Sequence, residues 1–100
     1  MSNTKEQILE KAKIVLADLH GVHYDESNIE NTWFVEKREI ARGVDVGQEI
    51  PAWVISIKEP LFESIDFMTM SDETGEPLYY QTKHVVAEVV KDADGKYTTV

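Results

Sequence analysis

The chain has 100 residues, a formal net charge of −9 at pH 7, 42% hydrophobic and 29% charged residues, and no cysteine. That length makes one domain, residues 1–100, with a single core, and the lack of cysteine removes disulfides, thiolate zinc sites and cysteine nucleophiles together. The composition is that of a folded chain rather than a disordered one, and the acidic balance excludes direct binding to nucleic-acid phosphates, which needs clustered Lys and Arg.

In chain order, the opening "MSNTKEQILEKAK" lacks the basic-then-apolar layout of a signal peptide, and no apolar run approaches the roughly 18 residues of a membrane span. A soluble, cytoplasmic protein of bacterial type, with no membrane contact, is the expectation. Ser2, Asn3 and Thr4 are N-cap residues, and Thr4 with Gln7 or Asn3 with Glu6 has the spacing of a capping box. Ile8, Ala12, Val15, Leu16 and Leu19 then form one apolar stripe, and Gly21 stands where a helix ends. The spacing predicts a helix over residues 4–20.

From there the period changes from 3.6 to 2. "TWFVEKREI" (32–40) and "AWVISIK" (52–58) are rich in aromatic and β-branched residues, as strands are, and "GVDVGQEIP" between them reads as a loop or bulged connection. "SIDFMTM" (64–70) is a third strand, "LYYQTKHVVAEVVK" (78–91) a long fourth, bent near Thr82, and "KYTTV" (96–100) a short fifth. "DETG" (72–75) and "DADG" (92–95) each place Asp first and Gly fourth, the chemistry of a hairpin turn. The expected fold is α+β: one N-terminal helix packed on a four- to five-stranded antiparallel meander sheet. A single helix covers only one face, so the other face is expected to be polar, solvated or an interface.

Two segments carry most of the acid. Asp18, Asp25, Glu26, Glu30 and Glu36 lie between Lys13 and Lys37, and Glu59, Glu63, Asp66, Asp72, Glu73 and Glu76 between Lys58 and Lys83, with no base inside either tract. If these tracts fold together, they make a negative face that attracts a basic protein. Asp66, Asp72, Glu73, Glu76 and Tyr80 are the expected contact residues. The competing explanation for the turn acids Asp72, Glu73 and Glu76 is turn geometry and solvation alone.

Motifs for chemistry are sparse. His20 and His23, with Asp18, Asp25 and Glu26 nearby, have metal-ligand chemistry but straddle a helix end and lack a third imidazole, so no metal site is expected. No G-x-S-x-G and no glycine-rich phosphate loop occurs. The chain is expected to be no enzyme and to hold no cofactor. Trp33 and Trp53 are read as cross-strand core partners, and Tyr79 and Tyr80 as pointing to opposite faces, one of them outward. Met68 and Met70 share a face with Asp66, so either the strand bulges or it is apolar on both faces. Apolar groups on both faces require a covered outer face, and a homodimer or partner would supply the cover.

The helix-then-meander order resembles cystatin-like folds, although "QTKHVVAEVV" (81–90) lacks the glycine of the cystatin inhibitory loop. "AWVISI" followed by "SDETGEPLYY" (71–80) is similar in rhythm to small bacterial immunity proteins of polymorphic toxin systems and to PepSY-type modules. That resemblance implies a non-enzymatic inhibitor that neutralises a basic toxin. Two rivals stand beside it. One is a cystatin-like or nuclear-transport-factor-like scaffold holding a small ligand between helix and sheet. The other is a small hydrolase or isomerase built on a buried carboxylate or His84, whose mark would be a strongly shifted pKa in a pocket.

Overall fold

The computed structural model describes residues 1–100. Helix α1 (Lys5–His20) begins on the capping box: the Gln7 amide donates to Thr4 Oγ1, and the Gln7 side chain accepts from the Thr4 amide. It ends at Gly21, whose φ of 59° is left-handed. Ile8, Ala12, Val15 and Leu16 are buried on its inner stripe.

Two single 3₁₀ turns (Gly21–His23 and Glu26–Asn28) lead into six strands: β1 (Ile29–Glu39), β2 (Glu49–Lys58), β3 (Ile65–Ser71), β4 (Pro77–Gln81), β5 (Val86–Lys91) and β6 (Tyr97–Thr99). They pair antiparallel in chain order, so the sheet is an open meander with β1 and β6 at its edges. The fold class is therefore α+β as expected, with six strands rather than four or five. The expected long fourth strand is two strands. Thr82 breaks it, because its Oγ1 accepts from the His84 and Val85 amides while its own amide donates to the Val85 carbonyl. The two Asp-x-x-Gly hairpins form as read, with Gly75 at φ 72° and Gly95 at φ 79°. Pro51 lies in β2 just before the β2–β3 ladder begins at Ala52↔Ser71, and its carbonyl accepts from the Asp72 amide, so its missing donor falls at the end of that ladder.

The helix packs on the face that carries Trp53, Ile55, Ile57, Met68, Met70 and Tyr80, with Val89 and Tyr97 completing the cluster toward β6. The opposite face is not simply solvated. Across it runs a row of cross-strand neighbours, Trp33, Val54, Thr69, Tyr79 and Glu88. Val54, Thr69 and Tyr79 are buried, as are Ala52 and Ile40, yet none of them belongs to the helix-side cluster. Their cover comes in part from the chain itself. The β1–β2 connection, closed by Ile40–Gln48 and Gly47–Ile40 backbone bonds, folds back and brings Gly43 beside the Glu88 side chain on β5.

Three aromatic expectations change with this layout. Trp53 pairs with Phe34, not Trp33; Trp33 lies on the outer face, 42% exposed, edge-on to Phe67. Tyr79 and Tyr80 do take opposite faces, but both are buried, because the outer face under Tyr79 is covered. Met68 and Met70 point to the helix together with Asp66, which is also buried. The helix has fewer than 18 residues, and no helix is long and apolar enough to cross a membrane.

Candidate functional site

At the carboxyl end of α1 the helix, strands β3 and β4, the β2–β3 connection and the β4–β5 turn surround a cavity of about 640 Å³. The helix stripe that buries Leu16 brings His20, one turn later, over the sheet. Tyr80 stands opposite Met68 in the β3–β4 ladder, so its ring reaches diagonally to the next helix-facing residue of β3, Asp66. The Tyr80 hydroxyl donates to Asp66 Oδ2 at 2.7 Å, and His20 Nε2 lies 3.0 Å from the same hydroxyl. A phenol has one proton. With that proton directed to Asp66, the oxygen accepts from His20 Nε2–H, which leaves Nδ1 as the imidazole's acceptor. The His20 and Tyr80 rings meet edge-on, with centroids 5.9 Å apart.

Burial sets the electrostatics of this relay. Asp66 is 1% exposed and Tyr80 8%. Desolvation raises the Asp66 carboxyl above its ordinary range, and the charge of Glu59 adds to the rise, while the Tyr80 hydrogen bond opposes it. Tyr80 is pushed far up, first by burial and then by its bond to Asp66, so it stays a phenol. His20 is lowered, chiefly by burial, which favours neutral imidazole. Asp66 Oδ1, also buried, has no hydrogen-bond partner in the protein.

The walls come from loops. Glu59 Oε2 accepts from the Leu61 and Phe62 amides, which shapes the β2–β3 connection and stands Phe62, 83% exposed, beside the opening. Glu63 follows in a left-handed conformation, φ 58°. On the other side the turn at Thr82 presents Lys83 and His84, both exposed. A smaller hollow of about 300 Å³ shares His20, Tyr80 and Thr82 and is lined further by Leu19, Val85 and Ala87.

The residues expected to form a contact surface are separated and mostly withdrawn from solvent. Asp66 and Tyr80 are a buried pair. Asp72, 2% exposed, lies elsewhere and binds the amino terminus: its carboxylate accepts from the Ser2 amide at 2.6 Å, the Asn3 amide at 3.1 Å and Trp53 Nε1 at 2.9 Å. Burial opposes its ionisation, but these donors outweigh burial and hold the carboxyl below its ordinary value. Glu76 is enclosed by cations, with Lys11 Nζ at 2.9 Å and Lys91 Nζ at 3.6 Å, and accepts from the Tyr97 hydroxyl at 2.9 Å. Only Glu73 is exposed. The cause is that a two-residue period puts Asp66 and Tyr80 on the helix face, while Asp72 replaces solvent as acceptor for the chain's first amides.

Other acids of the two tracts are also engaged. Asp18 accepts from the Tyr97 amide, Asp25 caps a 3₁₀ turn, and Glu26 and Glu63 pair with Lys13 and Lys58. Sequence reasoning weighed His20 beside His23 and Glu59 among the acids around Asp66, but did not join either to Tyr80 in one site. The available signal was Asp66, an acid in register with two buried methionines. His23 is exposed and takes no part in the His20 hydrogen bond, and no cluster of three metal-ligating side chains forms around it. No family model, curated protein or solved structure matches the chain.

Proposed function

We propose that this protein is a binding module for a small organic ligand, held in the cavity between the end of α1 and strands β3 and β4. The observation that carries this reading is the Asp66–Tyr80–His20 relay at the cavity, with one buried carboxylate oxygen left without a protein partner. A buried acceptor without a donor costs about 1–3 kcal/mol, and a sheet position between Ile57 and Met68 would be more stable with an apolar residue. Arg38 Nε, Thr69 Oγ1 and the Tyr79 hydroxyl are likewise buried without partners, but of the four only Asp66 lines this cavity, where a ligand supplies the donor. A fragment screen read by melting temperature and by NMR tests it. Hits should shift His20 and Tyr80 resonances; hits confined to other surfaces, or none, would remove the reading.

The basic-partner reading, with a toxin-neutralising immunity protein as its concrete form, has less support. It keeps the net charge of −9 but of its five contact residues retains only Glu73 as an exposed acid. The same cavity supports one further reading, proton transfer by Asp66 at a ligand carbon, because a carboxyl raised by burial is the ordinary form of a general base. Exchange of solvent deuterium into a bound ligand would mark that activity, and its absence would leave binding alone.

A further inference from the structure

Resting on the cavity reading, the structure assigns a ligand class to the site: we infer that it takes an organic ammonium, a protonated amine on a flat apolar body, with the cation on Asp66 Oδ1 and the body against Phe62 and Tyr80. The argument begins with charge. Asp66 and Glu59 are the two carboxylates at the cavity, and Glu59 is near enough for its charge to act on both His20 and Asp66. The one lysine there, Lys83, is exposed in the turn, where water screens it. His20 is occupied as the donor to Tyr80 and is kept neutral by burial. The interior of the site is therefore negative without a protein cation inside it.

Geometry narrows the choice further. Asp66 Oδ2 already accepts from Tyr80, so the unpartnered Oδ1 calls for a donor, and an anionic or acceptor-only group there would meet a carboxylate with nothing to give. A neutral hydroxyl could donate, but an ammonium both donates and neutralises, and charge-assisted bonds are roughly twice as strong as neutral ones. The Phe62 and Tyr80 rings supply apolar contact and, toward a cation, the negative faces of their π-systems.

The test is calorimetric titration of the whole chain, in low salt at pH 7, with benzylamine, benzyl alcohol and sodium benzoate, which share a ring and differ in the group offered to Asp66. Benzylamine is expected to bind about tenfold or more tightly than the alcohol, and benzoate not measurably. Asp66→Asn retains an oxygen for the Tyr80 hydroxyl and should bring benzylamine down to the level of the alcohol. Glu59→Gln retains the acceptor for the Leu61 and Phe62 amides and should weaken benzylamine two- to threefold; it carries the test if the first variant does not fold. Equal or tighter binding of the alcohol or benzoate, or an amine affinity unchanged in both variants, would overturn the ammonium assignment and leave the cavity reading intact. No binding of any of the three would also overturn it, while the cavity reading falls only if the wider fragment screen finds no occupant.

Discussion

A single carboxylate, Asp72, shows how a residue's role follows from the donors around it. Its turn position gives it a place beside the first residues of the chain, and the indole of Trp53 completes its shell. Asp72→Asn keeps the size but removes the charge that three donors address. It is expected to cost about 2–3 kcal/mol in urea unfolding, since bonds to a charged group carry most of that amount. Trp53 fluorescence gives a local readout. Tyr80→Phe is different in kind: it removes the one hydrogen bond that favours the Asp66 anion and leaves His20 Nε2 without its partner. The Asp66 carboxyl, already raised, should titrate at still higher pH in carbon-13 NMR, and an unchanged titration would mean that the phenol does not hold the site's charge. Of these residues the sequence named Asp66, Asp72 and Tyr80, as contact residues for a partner, and the structure buries all three. The sequence showed acids and a tyrosine near each other in the chain; it did not show that a helix would cover them, because their neighbours His20, Trp53 and Ser2 come from distant segments.

Among the elements, the helix and the two Asp-x-x-Gly hairpins were legible because their determinants are local. Capping, an apolar stripe and a glycine at positive φ act within a few residues. Thr4→Ala should therefore cost about 1 kcal/mol, the usual worth of a side-chain N-cap, as measured by thermal unfolding. The β4–β5 turn was legible only as a bend near Thr82: "TKHV" holds no Gly, Pro, Asn or Asp, and the Thr82 hydroxyl closes it together with the Thr82–Val85 backbone bond. Not legible was the fold-back of the β1–β2 connection, which brings Gly43 beside Glu88 from a segment far off in the chain. Ile40, 1% exposed, secures that connection against the outer face. Ile40→Ala should cost about 2–4 kcal/mol in denaturant unfolding, as for other buried aliphatic truncations. A cost under about 0.5 kcal/mol would mean that the connection does not pack there in solution.

For the whole molecule, charge makes the pH profile of stability asymmetric, and the groups involved have opposite signs. Nineteen acids against ten bases repel one another at neutral pH, and this repulsion fades as pH falls toward the isoelectric point near 4.6. Asp66 acts in the same direction. Its folded carboxyl is raised above the ordinary value of 3.8, so the folded state takes up the proton first, and stability rises as pH falls through that folded pKa. Asp72 and Glu76 act oppositely. Despite burial, the donors on Asp72 and the Lys11 and Tyr97 bonds on Glu76 hold both below their ordinary 3.8 and 4.5. Their contribution is complete above those values and is lost as pH falls through the depressed folded ones. Urea midpoints measured from pH 3 to pH 8 should therefore peak on the acid side of neutrality and fall steeply below about pH 4. Added salt at pH 7 should raise the midpoint, because screening relieves more repulsion than it takes from the partly exposed ion pairs. Asp66→Asn should flatten the rise that accompanies protonation of Asp66 in the folded chain without altering the acid limb, and Asp72→Asn should lower the plateau above the acid limb and soften that limb. If both variants instead shifted the whole profile evenly, the two carboxyls would not titrate differently in the folded chain, and the buried relay would lose its electrostatic basis.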